Sequence, residues 1–249
     1  MPVRPLPPPK KNNINIVYYK ITCSAFCMKR VNDIFYSLQG EGYHTGRPAL
    51  FVRFAGCNLR CPFCDTEFDS YHEWSEDYIV TELLAHCIDH CVLNEKPMVV
   101  LTGGEPTLQA DDAFVDLLHS EGFYVAMESN GLLPAPANLD WLTVSPKVNR
   151  LRSRRKEAAT APLKSPQKRP DEIKIVFDGT KDPADILSRY MARTALSPGE
   201  AVGIRLYLQP CDTGNALHNN LITAACVEYI KHHPQWRLSL QTHKLIGIE

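Results

Sequence analysis

The chain of 249 residues carries no charge excess: 27 Lys and Arg against 28 Asp and Glu leave a formal charge of −1. That removes any global electrostatic case for a nucleic-acid or membrane-surface partner. No apolar run approaches the ~20 residues that span a bilayer, and no charged start followed by an apolar core resembles an export signal. The expectation is a cytoplasmic protein with neither a membrane nor a direct nucleic-acid partner. Without export, its nine cysteines are expected as free or metal-bound thiols and not as a disulfide framework. One more absence is local. Cys57, Cys61 and Cys64 stand at CxxxCxxC spacing, yet no second CxxC follows to complete a set of four.

What is present is enough for a core. A hydrophobic fraction of 44% fits one globular unit, most simply of an α/β type that runs to this length as a single domain. The three thiols follow an apolar run, Ala49 to Ala55, that reads as a buried strand. Soft sulfur ligands suit zinc or iron–sulfur clusters. Structural zinc takes four Cys or His ligands in paired spacings, and ordinary protein-held clusters take four cysteines. Three in a tight loop suggest a cube with one iron left open for chemistry. From the loop alone, a partial zinc site or three structural cysteines remain open.

Residues 1–27 differ from the rest. Met1 to Asn15 is rich in Pro, Lys and Asn and reads as a disordered leader. Cys23 and Cys27 repeat a CxxxC spacing, but two cysteines make no cage. The extension is expected to be dispensable, with the domain running over 28–249.

From Met28 the chain alternates. Ile34 to Ser37 reads as a short strand, followed by the polar, glycine-flanked turn Leu38-Gln39-Gly40-Glu41-Gly42, which lets backbone approach a ligand closely. Arg53 interrupts the strand Ala49–Ala55 and needs a partner there, a bidentate carboxylate being the favoured one. Glu76 to Cys91 reads as an amphipathic helix, with Cys87 and Cys91 one turn apart on one face, a spacing open to metal but read first as small core residues. The strand Met98–Leu101 ends in Thr102-Gly103-Gly104-Glu105-Pro106 before a helix over about Thr107–Ser120, the strand–glycine turn–helix unit of α/β ligand sites.

Further strands are expected at Phe123–Glu128, Trp141–Ser145, Glu172–Phe177, Gly203–Leu208 and Trp236–Leu240, with helices at Asp182–Arg193 and Asn219–His233. Polar residues recur just past strand ends, as expected for a site along one rim of a parallel sheet or barrel. His243 follows a strand and is a better candidate than His232 or His233 at a helix end. A basic segment at about 149–170 sets eight Lys and Arg against the single acid Glu157. Lacking interleaved aromatics and broken by prolines, it reads as a solvated insertion more than a phosphate patch. Six or seven strands are fewer than the eight of a full barrel. The expected fold is therefore an α/β, open, partial (β/α) barrel with about six core parallel strands.

The motifs now support a resemblance. CxxxCxxC with an aromatic before its last cysteine, then Gly-Gly-Glu-Pro one long βα unit later, is similar to the radical S-adenosylmethionine superfamily. Eight blocks recur in order: Phe35–Gly42, Gly46–Ala49, Arg53–Leu59, Cys64–Thr66, Thr102–Pro106, Val144–Lys147, Leu208–Asp212 and His233–Lys244. Together they resemble the 7-carboxy-7-deazaguanine synthase family, from Met28 onward and excluding the basic insertion. The resemblance implies conversion of 6-carboxy-5,6,7,8-tetrahydropterin to 7-carboxy-7-deazaguanine by radical ring contraction with loss of ammonia, on the way to queuosine and related deazapurines. It implies a homodimer served by a flavodoxin-like or ferredoxin-like electron donor.

The resemblance also assigns roles. Cys57, Cys61 and Cys64 would hold one [4Fe–4S] cluster, and Thr66 a Mg2+ ion, an oxygen ligand for a hard cation. Phe63, Asp65, Gly104, Ser145, Pro146, Lys147, Gln209, Pro210, Cys211 and Asp212 would bind S-adenosylmethionine. Leu38, Gln39, Gly40, Arg53, Thr102 and His243 would meet the substrate, Arg53 through the pterin carboxylate. The departures are the basic insertion and the last residue, Glu249. The rival is an activase for a glycyl-radical enzyme, also short and also carrying CxxxCxxC. A metal-binding regulator using the basic run on nucleic acid is more distant.

Overall fold

The computed structural model describes residues 28–248 apart from Phe63, Asp65, 68–69, Cys91, Leu93, 148–167, Ala195 and Ser197. The expectations for residues 1–27, for Phe63, Asp65, Cys91 and Glu249, and for most of the basic insertion therefore lie outside the described residues.

Among the described residues, nine strands form one sheet in the order β3-β1-β2-β4-β5-β6-β7-β8-β9. They are β1 (Met28–Leu38), β2 (Pro48–Phe54), β3 (His72–Ser75), β4 (Met98–Gly103), β5 (Val125–Ser129), β6 (Trp141–Val144), β7 (Glu172–Phe177), β8 (Arg205–Pro210) and β9 (Trp236–Leu238). From β2 through β9, with β3 set aside, every neighbouring pair is parallel. β1 pairs antiparallel with both β2 and β3. The described sheet does not close on itself, because β3 and β9 stand at its two ends. This is the open, partial barrel expected.

Two details differ from the sequence expectation. β1 has 11 residues where only Ile34–Ser37 was expected, because β3 supplies a second partner for its first half. β3 itself was not foreseen: His72-Glu73-Trp74-Ser75 has no apolar alternation. Lys29 anchors that start of β1, buried and ion-paired with Glu76 at 2.9 Å.

Among the described residues, four helices pack against the main core, a short one stands at Pro198–Ala201, and a last short one lies at the rim of the sheet's C-terminal end. The four are α1 (Glu76–Asp89), α2 (Asp112–Ser120), α3 (Pro183–Thr194) and α4 (Ala216–His232), and the last is α5 (Thr242–Ile246). The helix expected from Thr107 divides in two. A 3-10 turn, Pro106–Leu108, comes first, and α2 starts anew where Asp111 Oδ1 caps the Phe114 N–H at 3.0 Å. Side-chain caps of this kind satisfy donors that a helix start leaves open. The expected C-terminal tail holds α5, which proves important to the site.

Period-two alternation along the strands sorts the two faces. On β2, Leu50, Val52 and Phe54 join the main core with Ile79, Leu83, Phe114 and Leu118 of the helices. Ala49 and Phe51 join a smaller cluster with Met98, Val100, Ala126 and Trp141 on the concave face. Further along the same rows the residues turn polar: Arg53 on β2, Thr102 on β4, Glu128 on β5, Lys174 on β7 and Gln209 on β8. The concave face is thus apolar at the N-terminal ends of β2, β4 and β5 and polar at the strands' C-terminal ends, while β7 is polar there from its first residue, Glu172. Cys87 is buried in the main core, where burial pushes its thiol up.

Candidate active site

A cavity of about 800 Å³ opens at the C-terminal ends of the parallel strands. Among the residues expected to act, Cys57, Cys61, Cys64, Thr66, Gly104, Ser145, Lys147, Gln209, Pro210, Cys211 and Asp212 line it. So do Leu38, Gln39, Gly40, Arg53, Thr102 and His243. Pro146 is buried and does not line it.

One wall is the cysteine loop. Cys57 and Cys61 are half-buried, Cys64 is exposed, and none of the three is in a disulfide. Buried Leu59 packs with Cys57, Cys61 and Leu132, and its N–H donates to Cys57 Sγ at 3.4 Å. Burial pushes the Cys57 thiol up, and the nearby Glu105 carboxylate adds to it. The loop is seated on the glycine turn. Gly104 N–H donates to Phe54 O and Glu105 N–H to Gly56 O, each at 2.9 Å. A Cβ on Gly104 would lie 2.0 Å from Gly56 O, so only glycine admits this approach.

Glu105 and Asn130 extend that seat, and the sequence reading assigned neither a role. Glu105 is buried and accepts from Thr107 Oγ1 at 2.6 Å, Ser129 Oγ at 2.8 Å and Asn130 N–H at 2.8 Å. Burial raises its carboxyl above the usual range despite those bonds. The Asn130 amide then donates to Asn58 Oδ1 at 2.7 Å, next to Cys57. Glu105 stands in the Gly-Gly-Glu-Pro motif but with no role of its own, and the only sequence signal of Asn130 is its place directly after a strand.

The donor set suits the expected groups. Three cysteines outside any disulfide line one cavity, with apolar support behind two of them, which fits soft cluster iron. The Thr66 hydroxyl, on the same rim, is an oxygen donor for a hard cation. Among the described residues, no group of three His, Cys, Asp or Glu is arranged to hold a metal ion.

The opposite wall is a buried polar network. Lys174 pairs with Glu41 and stands 3.8 Å from Glu128. Gln39 Nε2 donates to Glu128 Oε1 at 3.1 Å and Thr102 Oγ1 to Glu128 Oε2 at 3.2 Å. Arg53, in register with Thr102, lies 4.7 Å over the Phe35 ring. Burial alone would lower Lys174, but three carboxylates around it raise it above the ordinary lysine value. Glu172, at the foot of β7, is buried and accepts from Tyr43 N–H at 2.9 Å. Its Oε1 has no hydrogen-bond partner. Burial, reinforced by Glu128 and Glu41 and opposed by Lys174, raises it to about 7.

The strand ends and the C-terminal segment close the rim. Lys147 Nζ donates to Ser145 Oγ at 2.9 Å. Asp212, held by the Gly214 N–H, Lys244 and Asn219, is lowered to about 2. His243 packs against Gly40, where a Cβ would lie 2.1 Å from its Nδ1. By contrast His232 and His233 cap α4 far down the chain, each ring bonded to a backbone carbonyl at 2.8 Å.

A profile of the radical SAM superfamily matches residues 51–152, the stretch that holds the cysteine loop and glycine turn. A 7-carboxy-7-deazaguanine synthase of Bacteroides thetaiotaomicron is 42% identical over 221 residues, covering 89% of this chain and 99% of that protein. The synthase of Bordetella pertussis is 40% identical and covers 88% of this chain and 98% of its own. The crystal structure of QueE from Escherichia coli superposes with a TM-score of 0.60 at 28% identity, covering 86% of this chain and 93% of that one.

Proposed function

The chain belongs to the 7-carboxy-7-deazaguanine synthase family of radical S-adenosylmethionine enzymes, and from that premise we propose which residues perform the family's reaction. The enzyme is a lyase that converts 6-carboxy-5,6,7,8-tetrahydropterin to 7-carboxy-7-deazaguanine with ring contraction and loss of ammonia, and the activase alternative falls away. Its cofactors are a [4Fe–4S] cluster, S-adenosylmethionine and Mg2+. When bound, the cluster and S-adenosylmethionine supply the carbon-centred radical that takes hydrogen from the pterin.

The protein's share is holding and orienting. Cys57, Cys61 and Cys64 would bind the cluster on one wall. Gly104, Ser145, Lys147 and Gln209–Asp212 would hold S-adenosylmethionine along the rim. Thr66 would hold Mg2+, which would orient the substrate and stabilise developing negative charge on it. Leu38–Gly40, Arg53, Thr102 and His243 would hold the pterin on the opposite wall. In the same proposal the catalytic unit is 28–249, cytoplasmic and dimeric, and reduced by a flavodoxin- or ferredoxin-like donor. Sedimentation of the purified protein tests the dimer.

The single observation that carries this division is that both sets of residues face one cavity. Arg53 tests it. A charge-assisted hydrogen bond contributes about 1.5–3 kcal/mol, so Arg53→Ala should weaken binding of the carboxypterin roughly ten- to a hundredfold. Binding of a tetrahydropterin without the 6-carboxylate should hardly change. Equal loss with both ligands would overturn the assignment.

A further inference from the structure

The turn that carries Leu38, Gln39 and Gly40 is held by one buried carboxylate with partners from three other parts of the chain. Glu41 Oε2 binds the Lys174 ammonium from the middle of β7. Glu41 Oε1 accepts from Gln209 Nε2 at 3.1 Å, near the end of β8, and from Gln241 Nε2 at 3.0 Å, just before α5. Burial pushes the Glu41 carboxyl up, but the Lys174 charge and these bonds overcome it and hold it below the usual range. Both oxygens are engaged within the protein.

Further bonds repeat the stitching. Ser239 Oγ donates to Gln209 Oε1 at 3.2 Å and accepts from Gly42 N–H at 3.0 Å. Thr242 N–H and Oγ1 both donate to Gly40 O, each at 2.9 Å. The His243 ring occupies the space beside Gly40. Loss of one member of such a buried, mutually satisfied network affects all its partners.

From these bonds we infer that Glu41 is a positioning residue. It locks the turn Leu38–Gly42, the β8 end at Gln209 and the C-terminal segment Gln241–His243 into one unit. That unit keeps the pterin wall in register with the S-adenosylmethionine rim. The names of those two walls rest on the functional reading above; the unit itself does not. In radical chemistry a misplaced substrate leaves the radical without its target hydrogen, because rate depends steeply on placement.

Hydrogen–deuterium exchange on the cluster-loaded enzyme, paired with product analysis, tests this. Glu41→Gln keeps the shape and removes the charge. Exchange should rise at least ~10-fold in Leu38–Gly42 and in Gln241–Ile248 together, the scale of losing a charged hydrogen bond. With substrate, KM for the carboxypterin should rise by a similar factor, and more 5′-deoxyadenosine should be released per deazaguanine formed. A purely structural role would lower thermal stability and leave that ratio unchanged, and would overturn the inference. So would increased exchange confined to one of the two segments. Gln241→Ala removes the C-terminal arm's bond to Glu41 and leaves Thr242 on Gly40, and carries the test if Glu41→Gln does not fold. It too should loosen both segments, and unchanged exchange at Leu38–Gly42 would refute the coupling. Wild-type enzyme that makes no deazaguanine would defeat the functional reading and leave the exchange result to be judged by itself.

Discussion

The two walls of the cavity are built in different ways. The cysteine wall comes from one short stretch, Gly56 to Thr66, seated on a glycine turn by backbone bonds. The opposite wall is assembled from side chains scattered between Gln39 and His243, joined by a buried network around Lys174, Glu41 and Glu128. The difference separates what holds a fixed inorganic group from what must recognise and release a polar substrate. Backbone contacts with no room for a Cβ fix one wall. The other rests on charges in balance, and balances respond to single substitutions and to pH.

The largest effect is expected on the cysteine wall. Cys61→Ala should abolish deazaguanine formation and cluster iron while leaving far-UV circular dichroism intact. Retained turnover would remove the cluster assignment. Two glycines then set the walls against each other. At Gly104 a Cβ meets the Gly56 backbone carbonyl, whereas at Gly40 it meets the His243 ring and, at 2.9 Å, the His243 Cβ, so relief there needs the ring to turn and the short helix that carries it to give slightly. Gly104→Ala should therefore lose several kcal/mol or fail to hold cluster, since nothing in the backbone can yield cheaply. Gly40→Ala should fold and bind cluster, and should raise KM for the pterin. Reversed outcomes in iron content would break the comparison.

A smaller effect belongs to the network alone. Glu172 is raised from 4.5 to about 7 by burial. A carboxyl with a raised folded-state pKa gives stability that is full below the unfolded value and is lost as pH rises through about 7. Relative to wild type, Glu172→Gln should therefore gain about 2–3 kcal/mol between pH 5 and pH 8 in urea unfolding. A pH-independent difference would refute it. The smallest effect is away from both walls. Cys87→Ala, in the main core, should cost roughly 1 kcal/mol, with unchanged iron content and turnover.

These contrasts also explain what the sequence disclosed. The cysteine wall was legible because its ligands sit within eight positions, Cys57 to Cys64, and because glycines mark its seat. The parallel strands were legible from their apolar runs, with ends off by a residue or two. β3 was not, since a polar four-residue strand owes its existence to β1 beside it. Lys174 and Glu128 looked like ordinary charges in strands, and Glu41 like part of a turn. Only tertiary pairing gathers them, and no local spacing encodes a partner 133 positions away, as Lys174 is from Glu41. α5 was hidden for the same reason: Thr242 is fixed by Gly40, not by its own neighbours.

The most direct measurement is turnover by the anaerobically reconstituted enzyme with 6-carboxy-5,6,7,8-tetrahydropterin, S-adenosylmethionine, Mg2+ and a reductant. Deazaguanine and ammonia should appear in equal amounts, and both should vanish in Cys61→Ala. Cleavage of S-adenosylmethionine with no 7-carboxy-7-deazaguanine would contradict the account.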